Sequence, residues 1–242
     1  RFSQFLREDA LELALPTDVR SAIIDKGGKI YQVGGAVRDD MLGKVSKDLD
    51  LLVVGIELKD LATLLARFGK TNLVGKAFGI IKFVPEGATE EIDISVPRID
   101  SKSTGKGHKD FEVKLGKGIT LTQDQLRRDF WMNAMARDVE TGEIHDIDNK
   151  GRTDIENQEI RVIGSRAFRE DPLRMLRAVQ FAARFDFKIE SETMKQIKRN
   201  VNLIKTVSPE RFQEEFKKMF EKGTPSIGVD LLKETGILKK LF

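Results

Sequence analysis

The stretch KDLDLLVVG, Lys47 to Gly55, reads as a strand with two acids at its mouth. Apart from Asp50, its run from Leu49 to Val54 is apolar rather than alternating, which predicts a central strand covered on both faces of a sheet. Side chains alternate along a strand, so Asp48 and Asp50 share one side, roughly 6 to 7 Å apart, and Leu49 and Leu51 take the other. Two carboxylates at one point repel each other unless a cation lies between them. Oxygen donors of this type suit Mg2+, with Mn2+ as the second choice. An acid pair at a strand end is also a common surface feature, so the neighbouring sequence has to decide.

Ten residues upstream stands VGGAVRD, Val33 to Asp39. KIYQV, Lys29 to Val33, reads as a strand, and AVRDDML, which follows the glycines, as a short helix. Paired glycines between strand and helix let backbone N–H groups approach an anion, so Gly34 and Gly35 are candidate phosphate contacts, with Arg38 one turn inside. No G-x-x-x-x-G-K-[ST] occurs, which excludes a P-loop. Asp93, in EEIDISV, is a third acid on a predicted strand with Ile92 and Ile94 turned the other way. In a two-metal site such a carboxylate can serve the metal nearest the attacking hydroxyl.

The rest of the pattern splits the chain. A helix from Pro16-Thr17 to about Lys26, a helix over LKDLATLLARF, and strands at Ile80–Val84 and Glu91–Val96 complete a small mixed head. From Pro97 to about Leu121 the sequence is rich in Gly, Lys and Ser and predicts a mobile loop. Helix signals then dominate: Gln123–Arg137, Phe168–Phe185, Ser191–Asn200, Pro209–Lys222 and Ile227–Thr235. The expected class is α+β, with a mixed-sheet head over residues 1–145 and a helical region over residues 146–242.

Composition narrows the chemistry. The 242 residues are 40% apolar and 33% charged, a balance that suits a folded domain or two. There is no cysteine, and His108 and His145 are too few for a histidine-built metal site, so any catalytic metal must sit on oxygens. No apolar run reaches the roughly 18 to 20 residues needed to span a bilayer, and the start lacks a signal-peptide block; a cytoplasmic location with no membrane partner is expected. The chain opens on Arg1 and closes on KKLF, from which we expect residues beyond one or both ends. Residues 161–222 carry a net charge of +6 and residues 1–160 a net −4, a basic half that suits an anionic partner such as nucleic acid.

Two arginine-rich stretches add recognition chemistry. LRRDFWMNAM places Arg128, Asp129 and Asn133 within about two turns of the predicted helix. In EDPLRMLRAVQF, Glu170, Arg174 and Arg177 fall within a roughly 60° sector, with Asp171 beside it and Leu173, Leu176 and Val179 opposite. A solvated face of ion pairs is the ordinary reading of such charges. An Asp and an Arg held rigidly together can also present an acceptor and a fork of donors to a nucleobase edge.

GGAVRD, D-x-D, RRDFxxNA, a D…G…D turn and EDxxRxxR, in this order, resemble the class II tRNA nucleotidyltransferases. These are the CCA-adding enzymes and the related bacterial poly(A) polymerases of the DNA polymerase β superfamily. The resemblance runs from about Ile30 to Phe242, including a tail, SPERFQEEFKKMF, similar to the family's helical segment. It implies metal ligation by Asp48 and Asp50, triphosphate contacts at Gly35 and Arg38, and ribose contacts at Arg128 and Asp129. It also implies an amino-acid template for the base of CTP or ATP at Asp171 and Arg174, with Glu170 orienting Arg174 and Arg177 completing the pocket. The loop from Pro97 to Leu121 would take part in switching between C and A. The implied activity is addition of C, A or both to a tRNA 3′ end; poly(A) synthesis and an inactive binding module are the alternatives. Three departures stand out: Trp131 where the family has Thr, a turn over Asp146–Asp154 one residue longer and without its second glycine, and Gln180 in place of an arginine.

Overall fold

The computed structural model describes residues 15–44, 49–74, 79–100 and 113–241. It divides into two compact units: Arg1–Arg127 with Met135–His145, and Arg128–Ala134 with Asp146–Phe242. The fold class is α+β.

The first unit is built on a seven-stranded mixed sheet. Its strands are β1 (Lys29–Val33), β2 (Asp50–Val54), β3 (Gly69–Val74), β4 (Ile80–Pro85), β5 (Ile92–Ser95), β8 (Ala136–Asp138) and β9 (Ile144–His145), in the order β3-β4-β5-β2-β1-β8-β9. The expectation for Leu49–Val54 holds: β2 lies between β1, antiparallel, and β5, parallel. Leu51, Leu52 and Val53 are all buried, because both faces are covered. Leu51 and Val53 join Ile30, Ile81, Phe83, Ile92 and Ile94 in a core closed by Val19 and Ile23 of α1 (Thr17–Asp25) and by Leu61, Leu64 and Leu65 of α3 (Leu58–Leu65). Leu52 faces the other way, with Tyr31, Val33 and Ala136. Each such side chain, fully buried, contributes about 1.5 to 3 kcal/mol. Between β1 and β2 runs α2 (Gly35–Met41).

Three expectations need correction in detail. Helix Gln123–Arg137 is short: α4 (Leu121–Leu126) opens on a capping box of Thr120 and Gln123 and stops, after which come a 3-10 turn at Trp131–Asn133 and strand β8. The Asp129 carboxylate takes the Phe130 N–H at 2.9 Å, and extended Phe130 bridges Val162, so local pairing replaces the helix. Helix Phe168–Phe185 is broken into α6 (Ala167–Glu170) and α7 (Leu173–Phe185), with Asp171 extended at φ −139°, as the clash with a following proline requires. At the predicted loop, β6 (Arg98–Asp100) and β7 (Val113–Leu115) form an antiparallel pair at its root; residues 101–112 of that loop lie outside the described residues.

The second unit is helical apart from the two-residue parallel pair β10 (Glu159–Ile160) and β11 (Lys188–Ile189). After α5 (Lys150–Glu156), α6 and α7 come α8 (Ser191–Asn200), α9 (Pro209–Lys222), α10 (Pro225–Glu234) and α11 (Ile237–Leu241). Glu190 caps α8 through the Glu192 and Thr193 N–H groups, and Ser208 with Pro209 opens α9. Gly228 lets α10 pack closely on α9: a Cβ there would lie 2.5 Å from the Met219 sulfur, and that side chain would have to shift.

Candidate active site

The first unit carries the acids. Asp50 opens β2 and pairs in register with Asp93 on β5, which in turn pairs with Lys82 on β4. All three alternate with buried neighbours, Leu51, Ile92, Ile94, Ile81 and Phe83, and so lie on the face opposite that core. Lys82 donates to Glu91 at 2.5 Å and lies 3.4 Å from Asp93. Hydrogen bonding to Glu91 first, and the charge of Asp93 next, raise the Lys82 pKa, so it stays an ammonium. Asp48 lies outside the described residues. Asp50 and Asp93 supply hard oxygen donors from adjacent strands, which fits a divalent cation, although no cluster of three or more metal-ligating side chains occurs among the described residues.

The glycine turn closes β1 next to these acids. The register of β1 with β2 runs to Gln32 opposite Leu51, so Val33 and Gly34 follow at the Asp50 end of β2. Gly34 has φ +77° and ψ −142°, a region open to glycine alone at no steric cost. Arg38 is not turned outward. It is 3% exposed, donates through Nε and Nη2 to Asp39 at 2.8 and 2.6 Å, and reaches under Gly35, where a Cβ would stand 3.1 Å from Nη2. Its charge therefore acts from beneath the turn. Arg137 of β8 pairs with Asp40 and bonds Gln32 at 3.4 Å, a brace that the sequence reading missed.

The second unit gathers the predicted recognition residues. Asp129 sits on the short turn: its Oδ1 accepts from Asn133 Nδ2 at 3.0 Å, and its Oδ2 pairs with Arg177 Nη2 at 2.7 Å. Burial alone would raise the Asp129 carboxyl, but the Arg177 charge and the hydrogen bonds from Asn133 and Arg177 outweigh it and hold the pKa low. Burial likewise works against the Arg177 cation, and Asp129 with Glu215 reverses this, raising its pKa. Arg177 Nη1 lies 3.3 Å from Glu215 of α9, which also takes Lys218 at 2.8 Å. Arg128 Nη1 donates to the Asn133 carbonyl at 3.5 Å. Glu215 was missed because its partner is 38 residues away.

Asp171 is fixed at both oxygens. Oδ1 accepts from the Leu173 N–H at 3.1 Å and Oδ2 from Arg211 at 2.9 Å, leaving each oxygen a further lone pair. Arg174 lies 3.9 Å from Glu170, the pair expected to orient it. Two of the three departures meet. Trp131 packs with Ala134, Ile147 and Ile163, and Lys150 of the lengthened turn stands 4.6 Å over its ring. Within that turn Asp148 and Asn149 are left-handed, while Asp146 accepts from the Gly151 and Arg152 N–H groups at 2.9 and 2.8 Å. Gln180 is buried in α7 rather than facing outward as a contact.

With both sets of side chains in place, the relatives can be compared. A family model described as Poly A polymerase head domain matches residues 30–161. The chain belongs to this family. A second model, "Probable RNA and SrmB-binding site of polymerase A", covers residues 186–242. Among curated relatives of this head-domain family, the chain is 40% identical over 216 residues to a "Multifunctional CCA protein" of Nitrosomonas europaea, covering 88% of this chain and 49% of the relative. A Bacillus stearothermophilus CCA-adding enzyme in complex with CTP superposes with a TM-score of 0.80 at 32% identity, covering 94% of this chain and 52% of that one. A Thermotoga maritima CCA-adding enzyme complexed with tRNA gives 0.73 at 29% identity, covering 89% and 48%. The chain thus spans about half the length of the relatives it matches. The head-domain family is generally metal-dependent. No helix among the described residues is long and apolar enough to cross a membrane.

Proposed function

We propose that the chain carries the catalytic part of a template-independent RNA nucleotidyltransferase, adding C, A or both from CTP and ATP to a tRNA 3′ end. The observation that carries this reading is the register: the glycine turn, Asp50 and Asp93 stand in adjacent strands at one end of the sheet. The CTP and tRNA complexes of its relatives support the choice of substrates. In domain terms, residues 1–145 would form the head and residues 146–242 the neck and start of a body, with the protein working in the cytoplasm.

Asp48 and Asp50 would hold Mg2+, or Mn2+ in its place, with Asp93 as the third acid on the side of the attacking hydroxyl, and the ion when bound supplies charge neutralisation and a lowered hydroxyl pKa. The remaining work belongs to the chain. The backbone N–H groups of Gly34 and Gly35, with the Arg38 charge below them, bind the triphosphate. Arg128, Asp129 and Asn133 hold the ribose, with Asp129 kept ionised by Arg177. Asp171 offers its remaining lone pairs to the exocyclic amino group that C and A share, and Arg174, held by Glu170, donates to the ring acceptors; Arg177 closes the set. The RNA 3′-oxygen then attacks the α-phosphorus as its proton passes to solvent water, and the bond to pyrophosphate breaks, with no covalent enzyme intermediate.

The test uses tRNA transcripts ending before, within or after CC, each with CTP and ATP supplied separately. Addition of C, A or both that stops at CCA is the expected outcome. Unlimited A addition would identify a poly(A) polymerase, as the name of the matching head-domain model also allows. No incorporation with any transcript would leave only a binding module.

A further inference from the structure

We propose that Lys82 contacts the acceptor RNA, its ammonium receiving the phosphodiester next to the 3′-terminal nucleotide. The inference rests on the nucleotidyl-transfer reading and extends it to a residue outside the motifs. Side by side in the sheet lie β4, β5, β2 and β1, so Lys82, Asp93, Asp50 and the glycine turn form one row across the first unit. Neighbouring strands are about 4.8 Å apart, which puts the strand of Lys82 roughly 10 Å from that of Asp50 and about 14 Å from that of the turn.

Direction along this row follows from the chemistry. In-line displacement sets the attacking and leaving oxygens on opposite sides of the phosphorus. With the departing pyrophosphate at the glycine turn on the β1 side, the attacking hydroxyl must enter over β5, and the RNA behind it extends over β4. That strand delivers a backbone phosphate into a neighbourhood of acids: Asp50, Asp93 and Glu91. Among the described residues of β4, β5 and β2, Lys82 is the one cation, and its side chain is partly exposed. Its present partners, Glu91 at 2.5 Å and Asp93 at 3.4 Å, are themselves partly exposed. Ion pairs of that kind are weak, and a flexible ammonium stem can exchange one oxygen anion for another at little cost. The bland alternative is a cross-strand ion pair that only steadies the sheet.

Two variants of the full chain, Lys82→Met and Lys82→Arg, separate these readings. Incorporation is followed with a tRNA transcript lacking CCA at salt from about 50 to 200 mM. Lys82→Met is expected to raise KM for RNA roughly 3- to 5-fold and leave KM for the nucleotide unchanged. It should also flatten the slope of log kcat/KM for RNA against log salt by about 0.7 to 1, and Lys82→Arg should restore both. An unchanged RNA KM and slope in Lys82→Met overturns the proposal, and so does an equal rise in nucleotide KM, which would place the lysine on the triphosphate. Anisotropy titration of the same RNA without nucleotide keeps the two readings distinguishable. If the wild type binds RNA and transfers nothing, the transfer reading fails, while the salt slope of binding still decides the role of Lys82.

Discussion

Replacing Asp50 by Asn keeps the shape of the β2 opening and removes one charge. We expect incorporation to drop by several orders of magnitude with little change in melting temperature, because Asp50 is exposed and packs no core. Near-normal turnover in single-turnover assays would remove Asp50 from the chemistry. Arg174→Ala should blur the choice among CTP, ATP, UTP and GTP, since a bidentate base contact is worth about 1 to 3 kcal/mol; kcat/KM for the four nucleotides measures it, and intact selectivity would refute the template role. At this scale the sequence was legible where a neighbour in the chain sets the geometry. Strand parity separated Asp93 from Ile92 and Ile94, and the four-residue spacing brought Glu170 to Arg174. It was illegible where the partner is distant: Arg211 on Asp171, 40 residues away, has no local signature.

Elements were legible in proportion to their hydrophobic period and their caps. Ser191–Asn200 and Pro209–Lys222 begin and end where the sequence predicts, because Glu190, Ser208 and Pro209 give physical start signals. β3 (Gly69–Val74) was missed because its residues are half-exposed or exposed and carry no alternation. The false helix over Gln123–Arg137 shows tertiary pairing overriding propensity: its middle is held by Asp129, and its end, β8, pairs with β1. The same turn yields a prediction. Asp129→Asn leaves the largely buried Arg177 with a weakened partner and should cost about 2 kcal/mol, seen as a lower denaturant midpoint; Asn133→Asp, which sets a second acid beside Asp129, should also destabilise. A midpoint unchanged in Asp129→Asn would show that Glu215 alone satisfies the arginine.

For the whole molecule, stability should vary with pH through Asp154. Its carboxyl is wholly buried and pushed up to about 7, first by desolvation and further by Glu159, Asp146 and Glu190, against the opposing pull of Arg161 at 3.2 Å. Between about pH 4 and 7 the folded chain holds a proton that the unfolded chain lacks, so stability falls as pH rises through that window. Asp154→Asn should melt near the wild type at pH 4 and several degrees above it at pH 8; parallel melting curves at both values would refute this. The sequence changes from strand-rich to helix-rich near residue 146, whereas a turn such as Arg128–Ala134 carries no local mark of the packing it joins.

The backbone passes from one unit to the other three times, after Arg127, Ala134 and His145. No single cut in the gene can therefore release either unit whole. A fragment ending at His145 would leave Phe130, Trp131 and Met132 without the helices that bury them, and a fragment beginning at Asp146 would lack the loop that fills its own interior. Expressed apart, the pieces should be insoluble or molten and recover only on co-expression, so swapping one unit between relatives requires the exchange of both discontinuous segments together.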